Sequence, residues 1–155
     1  MYYFGRRGFT LLEIMIAIAI LGTLAIITIS AFSPFRKGTD LDTATEKTLG
    51  LLLEARARTL SSENATQYGI HFESSRIVLF TGSTYISSDP LNEETLLPST
   101  VTVSGISLAG GGDDIVFSRL TGEITAYGTI TLSLTSDATQ TRQISILSTG
   151  LSSIL

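Results

Sequence analysis

Few side chains in this chain are of types that do chemistry, and the most unusually placed is Glu13. It is the only acidic residue in "RRGFTLLEIMIAIAILGTLAIITI" (residues 6–29), a stretch otherwise apolar after Arg6 and Arg7. A carboxylate at the centre of a bilayer costs a few kcal/mol or more, a cost that a cation brought beside it would remove. His71 is the sole histidine, in a strand-like context opposite the face of Tyr68, Ile70 and Phe72. It is read as an exposed strand histidine rather than a base or a ligand. "AGGGDD" (109–114) lacks the Lys-Ser/Thr ending of a phosphate loop and does not repeat as calcium-binding β-roll units do. Asp113 and Asp114 are its candidates for a cation site, but so few oxygen ligands favour a solvated acidic turn. Without cysteine, disulfides, thiolate metal sites and thiol catalysis are excluded. No Ser/His/Asp arrangement or zinc motif can be assembled, so neither catalytic residues nor a cofactor are expected.

The elements that must carry these residues divide the chain. Its 155 residues fit one modest domain plus the apolar N-terminus, and hydrophobic residues make up 43% against 15% charged, an excess concentrated at the front. The net charge of −4 argues against a general electrostatic hold on nucleic acid. Between Glu13 and Arg36 lie 22 residues without a formal charge. As a helix at about 1.5 Å per residue they would span roughly 33 Å, enough for a hydrocarbon core of about 30 Å. Arg6 and Arg7 would stay cytoplasmic and the rest of the chain would lie outside.

Three ordinary readings compete for this segment. A secretory signal peptide has a shorter apolar region, and the nearest cleavage candidate, Ala31-Phe32-Ser33, is followed by Pro34. A twin-arginine signal is suggested by Arg6-Arg7, but the early acid and the length of the run speak against it. A plain membrane anchor fits the length and leaves Glu13 unexplained. None of the three uses every residue.

Beyond the apolar run, Pro34 and Gly38 mark an expected break or bend. Helical patterning resumes in "DLDTATEKTLGLLLEARARTL", with Leu41, Ala44, Leu49, Leu52, Leu53, Ala57 and Leu60 near one stripe. Thr43-x-x-Glu46 reads either as a capping box or as an exposed helix face. "SSEN" (61–64) ends the segment. The period then changes to two, giving candidate strands at 67–72, 76–82, 100–108, 114–118, 128–134 and 142–147. "FESSR" turns the first pair, "TSDATQ" (135–140) joins the last pair as a hairpin, and residues 85–98 read as a variable loop. The expected class is α+β: a long helix packed on an antiparallel β-sheet.

"GFTLLEIMIAIAILG" (8–22) resembles the processing and membrane-spanning signature of class III signal peptides, found in type IV prepilins and type II secretion pseudopilins. The resemblance implies cleavage by a prepilin peptidase between Gly8 and Phe9, N-methylation of Phe9, and a leader whose basic residues are Arg6 and Arg7. It also makes Glu13 the acidic position that pairs with a neighbouring subunit's N-terminal amine during assembly. A local role, in which the Glu13 carboxylate interacts with the start of its own helix, is compatible with this.

"LLLEARARTLSSENATQYGIHF", "IVFSRLTGEI", "TITLSL" and "RQISILSTG" resemble the minor pseudopilin H and FimT/FimU-type minor pilin domain, with Phe117…Gly122 one residue longer than the commoner spacing. The type IV pilin-like fold implied comprises a removed leader (1–8), a membrane and assembly half-helix (9–33), an extracytoplasmic amphipathic half (34–64) and a β-rich head (65–155). The expected function is that of a structural subunit, a minor pilin or pseudopilin of a type IV pilus or type II secretion pseudopilus. Such a chain is held in the inner membrane, head outward, before entering the fibre. Its implied partners are the prepilin peptidase/methyltransferase, other pilins or pseudopilins, the inner-membrane assembly platform and the lipid bilayer. Nucleic acid is not expected, because the stretch after the final strand, "STGLSSIL", carries no basic residue. The alternatives are a major type IV pilin and, in a different class, a membrane-anchored binding domain that never polymerises.

Overall fold

The computed structural model describes residues 8–155, with the side chains of all of them except residues 29–35. Helix α1 (Leu11–Leu60) is followed by a short 3-10 turn (Glu63–Ala65) and eight strands. These are β1 (Tyr68–Phe72), β2 (Arg76–Thr81), β3 (Glu93–Leu96), β4 (Val101–Leu108), β5 (Asp114–Val116), β6 (Gly128–Leu134), β7 (Asp137–Ile146) and β8 (Ser152–Ile154). The chain divides into two compact units, residues up to Arg36 and Lys37–Leu155.

In the first unit, Leu11–Thr28 is long and apolar enough to cross a membrane, by length and composition. Helical structure continues through Pro34 and Gly38, so the break that is one of the two expected outcomes there does not occur. Proline costs a helix mainly one N–H bond and a local clash. A helix of 50 residues retains its other bonds.

The second unit contains two four-stranded antiparallel sheets where one was expected, in the orders β3-β2-β1-β5 and β4-β6-β7-β8. The α+β expectation holds, with the strands divided between two sheets. One core joins both sheets to the helix through Leu41, Leu52 and Ala55 of α1, Ile70 and Phe72 of β1, Ile115 of β5, and Ile130, Leu132 and Ile144 of the second sheet. The buried helix face matches the expected stripe in part: Leu41, Ala44 and Leu52 are buried and Leu49 packs against the core. Leu53, Ala57 and Leu60 are exposed, whereas Thr45, Thr48 and Thr59 are buried. Each of these threonines donates its hydroxyl to the carbonyl four residues back (Leu41, Ala44 and Ala55, at 2.7–2.8 Å), so its polar atom enters the core already bonded. Thr43 and Glu46 lie inside the helix on its exposed side, where no N-terminus exists to be capped.

Residues 85–98, expected to be a loop, contain β3. Its strand is held at the edge of the first sheet by ladder bonds to β2 and by two arginines: Arg58 grips Glu93, and Arg76 grips Glu94. The final hairpin forms with a tighter turn than expected, Leu134 facing Asp137 across Thr135-Ser136. Phe117 is fully buried, and five residues later Gly122 takes φ +66° and returns its N–H to the Ser118 carbonyl.

Candidate functional site

The N-terminal site is built by the first turn of α1. Thr10 precedes the first helical residue, and its hydroxyl accepts the backbone N–H of Glu13 at 3.2 Å. This is an N-cap with a glutamate at the third helical position, the spacing of a capping box. The spacing Thr10-x-x-Glu13 stands in the sequence, but it marks a cap only once the start of the helix is known, and the capping-box candidate expected from sequence is Thr43-x-x-Glu46. The cap fixes the helix start, and the free N–H groups of the first turn favour an anion at Glu13. Glu13 and Ala17 share a helix face at four-residue spacing, and Phe9, just before the cap, lies beside them. Together with Ile14 and Ile18 they line a shallow groove of about 310 Å³. Ala17 is the small residue in that groove, and the carboxylate rises from an otherwise apolar strip. Gly8 and Phe9 are exposed. Arg6 and Arg7 lie outside the described residues.

The second cluster surrounds His71, which is not the exposed strand histidine expected. Its Nδ1 lies 2.5 Å from Asp114 Oδ1, its Nε2 lies 3.7 Å from Glu73, and its ring stacks on Tyr85 with centroids 3.9 Å apart. Tyr85 also tilts against Phe80 on β2. The outer face of β1 and β2 therefore has its own small aromatic cover, contributed by the segment before β3. Nothing in the period-two pattern announces that cover. Glu73 is held in turn by both ends of the Arg76 guanidinium at 2.8 Å, which lowers its carboxyl below the usual range. Asp114 is thus committed to His71, while Asp113 stands exposed in the glycine turn. Among the described residues no group of three or more His, Asp and Glu side chains is arranged to hold a metal ion.

A third feature is a polar cavity of about 340 Å³ between the end of α1 and β3, lined by Arg58, Asn64, Tyr68, Leu91 and Glu93 among others. Arg58 is shared between Glu93 and Glu54 and lies over the Tyr68 ring. The Glu93 hydrogen bond is the main cause that keeps its guanidinium protonated above the ordinary arginine range. The cation there is already neutralised by the chain itself.

Residues 4–29 match the family model described as the prokaryotic N-terminal methylation motif. Among solved structures the fold is similar to that of the type IV minor pilin FimU from Pseudomonas aeruginosa. That match has a TM-score of 0.58 at 16% identity and covers 79% of this chain and 92% of that one. It is also similar to the minor pseudopilin EpsH from the type 2 secretion system of Vibrio cholerae, with a TM-score of 0.54 at 12% identity, covering 75% of this chain and 96% of that one. At these identities the likeness is one of fold. No curated protein sequence matches the chain.

Proposed function

We propose that this chain is a non-enzymatic structural subunit, a minor pilin or pseudopilin, assembled into a type IV pilus or type II secretion pseudopilus. The observation that carries the reading is a methylation motif at the start of a spanning helix, on a chain whose fold is that of a minor pilin and a minor pseudopilin. In the proposed sequence, a prepilin peptidase cuts between Gly8 and Phe9, and the new amine of Phe9 is methylated and stays cationic. Until assembly, Leu11–Thr28 holds the chain in the inner membrane with the head outside.

Glu13 then acts as the assembly contact. Its carboxylate stands on an apolar strip with the Phe9 and Ala17 face around it, and burial between helices would leave it an uncompensated charge. The amine of an incoming subunit removes that cost, which makes docking favourable when the two meet. The Thr10 cap supports the geometry by satisfying the Glu13 N–H within the helix.

Mass spectrometry of the mature chain tests processing. A methylated Phe9 at the N-terminus is expected, and an intact Met1 or a cut near Ser33 overturns the reading. Glu13→Gln separates anchoring from assembly: the chain should reach the membrane normally but enter sheared fibres poorly. A dominant band in those fibres would favour a major pilin.

A further inference from the structure

One surface of the head joins an arginine with unused donors to a set of exposed leucines. Arg56 projects from α1 beside two glycines of separate loops. A Cβ on Gly122 or on Gly150 would lie 3.1 Å from its Nε, and a Cβ on Gly150 would lie 2.0 Å from the Gly122 carbonyl. Both glycines have positive φ, +66° and +76°, so the backbone closes tightly around the guanidinium. The Nε is buried without a hydrogen-bond partner, and Nη2 makes one long contact of 3.4 Å to the Thr149 carbonyl. Among the described residues no carboxylate forms an ion pair with Arg56, in contrast to Arg58, Arg76 and Arg142.

The same place gathers apolar surface. Leu53 and Leu60 share the helix face of Arg56 at spacings of three and four, and both are exposed. Leu60 also flanks the position of a Gly122 Cβ at 3.2 Å. Two residues before Gly122, Leu120 is 82% exposed and holds φ +72°. A left-handed conformation costs a leucine about 1–2 kcal/mol, and its side chain gains no burial within the head in return. Leu147 and Leu151, both half exposed, sit in the turn that contains Gly150.

We propose that this surface is a docking site for the head of a neighbouring pilin-like subunit of a different kind, which presents a carboxylate flanked by apolar side chains. Arginine is enriched at the centres of protein interfaces, and exposed apolar side chains gathered beside one mark a surface that another protein covers. Covering it without supplying an acceptor would bury an unpaired cation, so the partner must bring a carboxylate, which a guanidinium receives well. A second copy of this chain is a poor complement. In its own exposed acidic and apolar segment, Glu93 is held by Arg58, Glu94 by Arg76, and Asp89 by the Leu91 N–H. The inference rests on the assembly reading above and names one of its contacts.

The test uses the full chain in cells that make its fibres. Arg56→Lys places an amine that a water-soluble carbodiimide can join to a carboxylate in direct contact. Coupling is scored by mass spectrometry in both the membrane and sheared fibres. A product linking position 56 to an Asp or Glu in the head of a different pilin-like subunit is expected. No intermolecular product at that position, or a product joining two copies of this chain, overturns the proposal. Leu120→Asn is the second variant, since asparagine tolerates the left-handed conformation. The head should remain at least as resistant to protease while the chain's share in fibres falls about tenfold; unchanged incorporation overturns the proposal. If the unmodified chain is missing from fibres, the assembly reading fails, while coupling in the membrane still decides the docking site.

Discussion

The hydroxyl of Thr59 bonds helix α1 to the first strand: it accepts the Tyr68 N–H at 3.0 Å and donates to the Ala55 carbonyl at 2.8 Å. Thr59 is fully buried, so Thr59→Val keeps the volume and strands a buried N–H. The expected loss is about 1–3 kcal/mol, and Thr59→Ser should retain most of the stability. Thermal unfolding of the full chain in detergent micelles measures both. A valine variant that melts with the parent would show that the bond contributes nothing.

This bond also shows where sequence patterning stops being informative. Of the stripe that hydrophobicity marks as the core face of α1, Leu41, Ala44 and Leu52 are buried, yet Leu53 and Leu60 are exposed and Thr45, Thr48 and Thr59 are buried instead. Periodicity scores a threonine as polar, whereas back-bonding to the preceding turn removes that polarity locally. Strands β3 and β8 escape notice for a related reason. "EETL" and "SSI" are short and carry no apolar alternation, and they hold their places by ladder bonds to β2 and β7. The other six strands overlap the stretches that apolar and β-branched residues mark in the sequence. At the N-terminus, Gly8, Phe9 and Glu13 were legible as a motif, while the Thr10 cap required knowing where the helix begins. Tyr85 over His71 was invisible, because a stacking contact across fourteen positions leaves no local pattern.

Gly69 and Phe80 give the second prediction. They face each other across β1 and β2, and a Cβ at Gly69 would lie 2.4 Å from the Phe80 ring and 2.8 Å from the Ile115 carbonyl. Overpacking of this kind costs about 1–3 kcal/mol. Gly69→Ala should lower the midpoint of urea unfolding accordingly. The double variant Gly69→Ala with Phe80→Leu should recover part of that loss, because the nearest obstacle is then removed.

The glycine turns should respond unequally. An added methyl at Gly150 would meet the Gly122 carbonyl at 2.0 Å, whereas at Gly110 it would meet open space. Gly110→Ala therefore carries only the left-handed backbone cost of about 1–2 kcal/mol. Gly150→Ala adds a backbone clash and should cost well over about 3 kcal/mol. Yields of protease-resistant chain from parallel expressions will separate them. Equal behaviour would mean that the two loops do not close on each other.

The acid response of the head follows from its carboxylates. Hydrogen bonding and charge from Arg76 lower Glu73, with a further small contribution from His71, and the Thr139 hydroxyl and N–H lower Asp137. A carboxylate lowered on folding contributes stability that is complete above its unfolded value, near 4.3 for glutamate and 3.9 for aspartate, and that disappears as pH falls through the folded value. Stability should thus be level through neutral pH and decline below about pH 4.5. Both sites are solvent-facing, so the decline they cause will be shallow. Glu73→Gln should flatten the acid limb of the curve while leaving its neutral plateau within about 1 kcal/mol of the parent. An unchanged acid limb would remove Glu73 from the explanation.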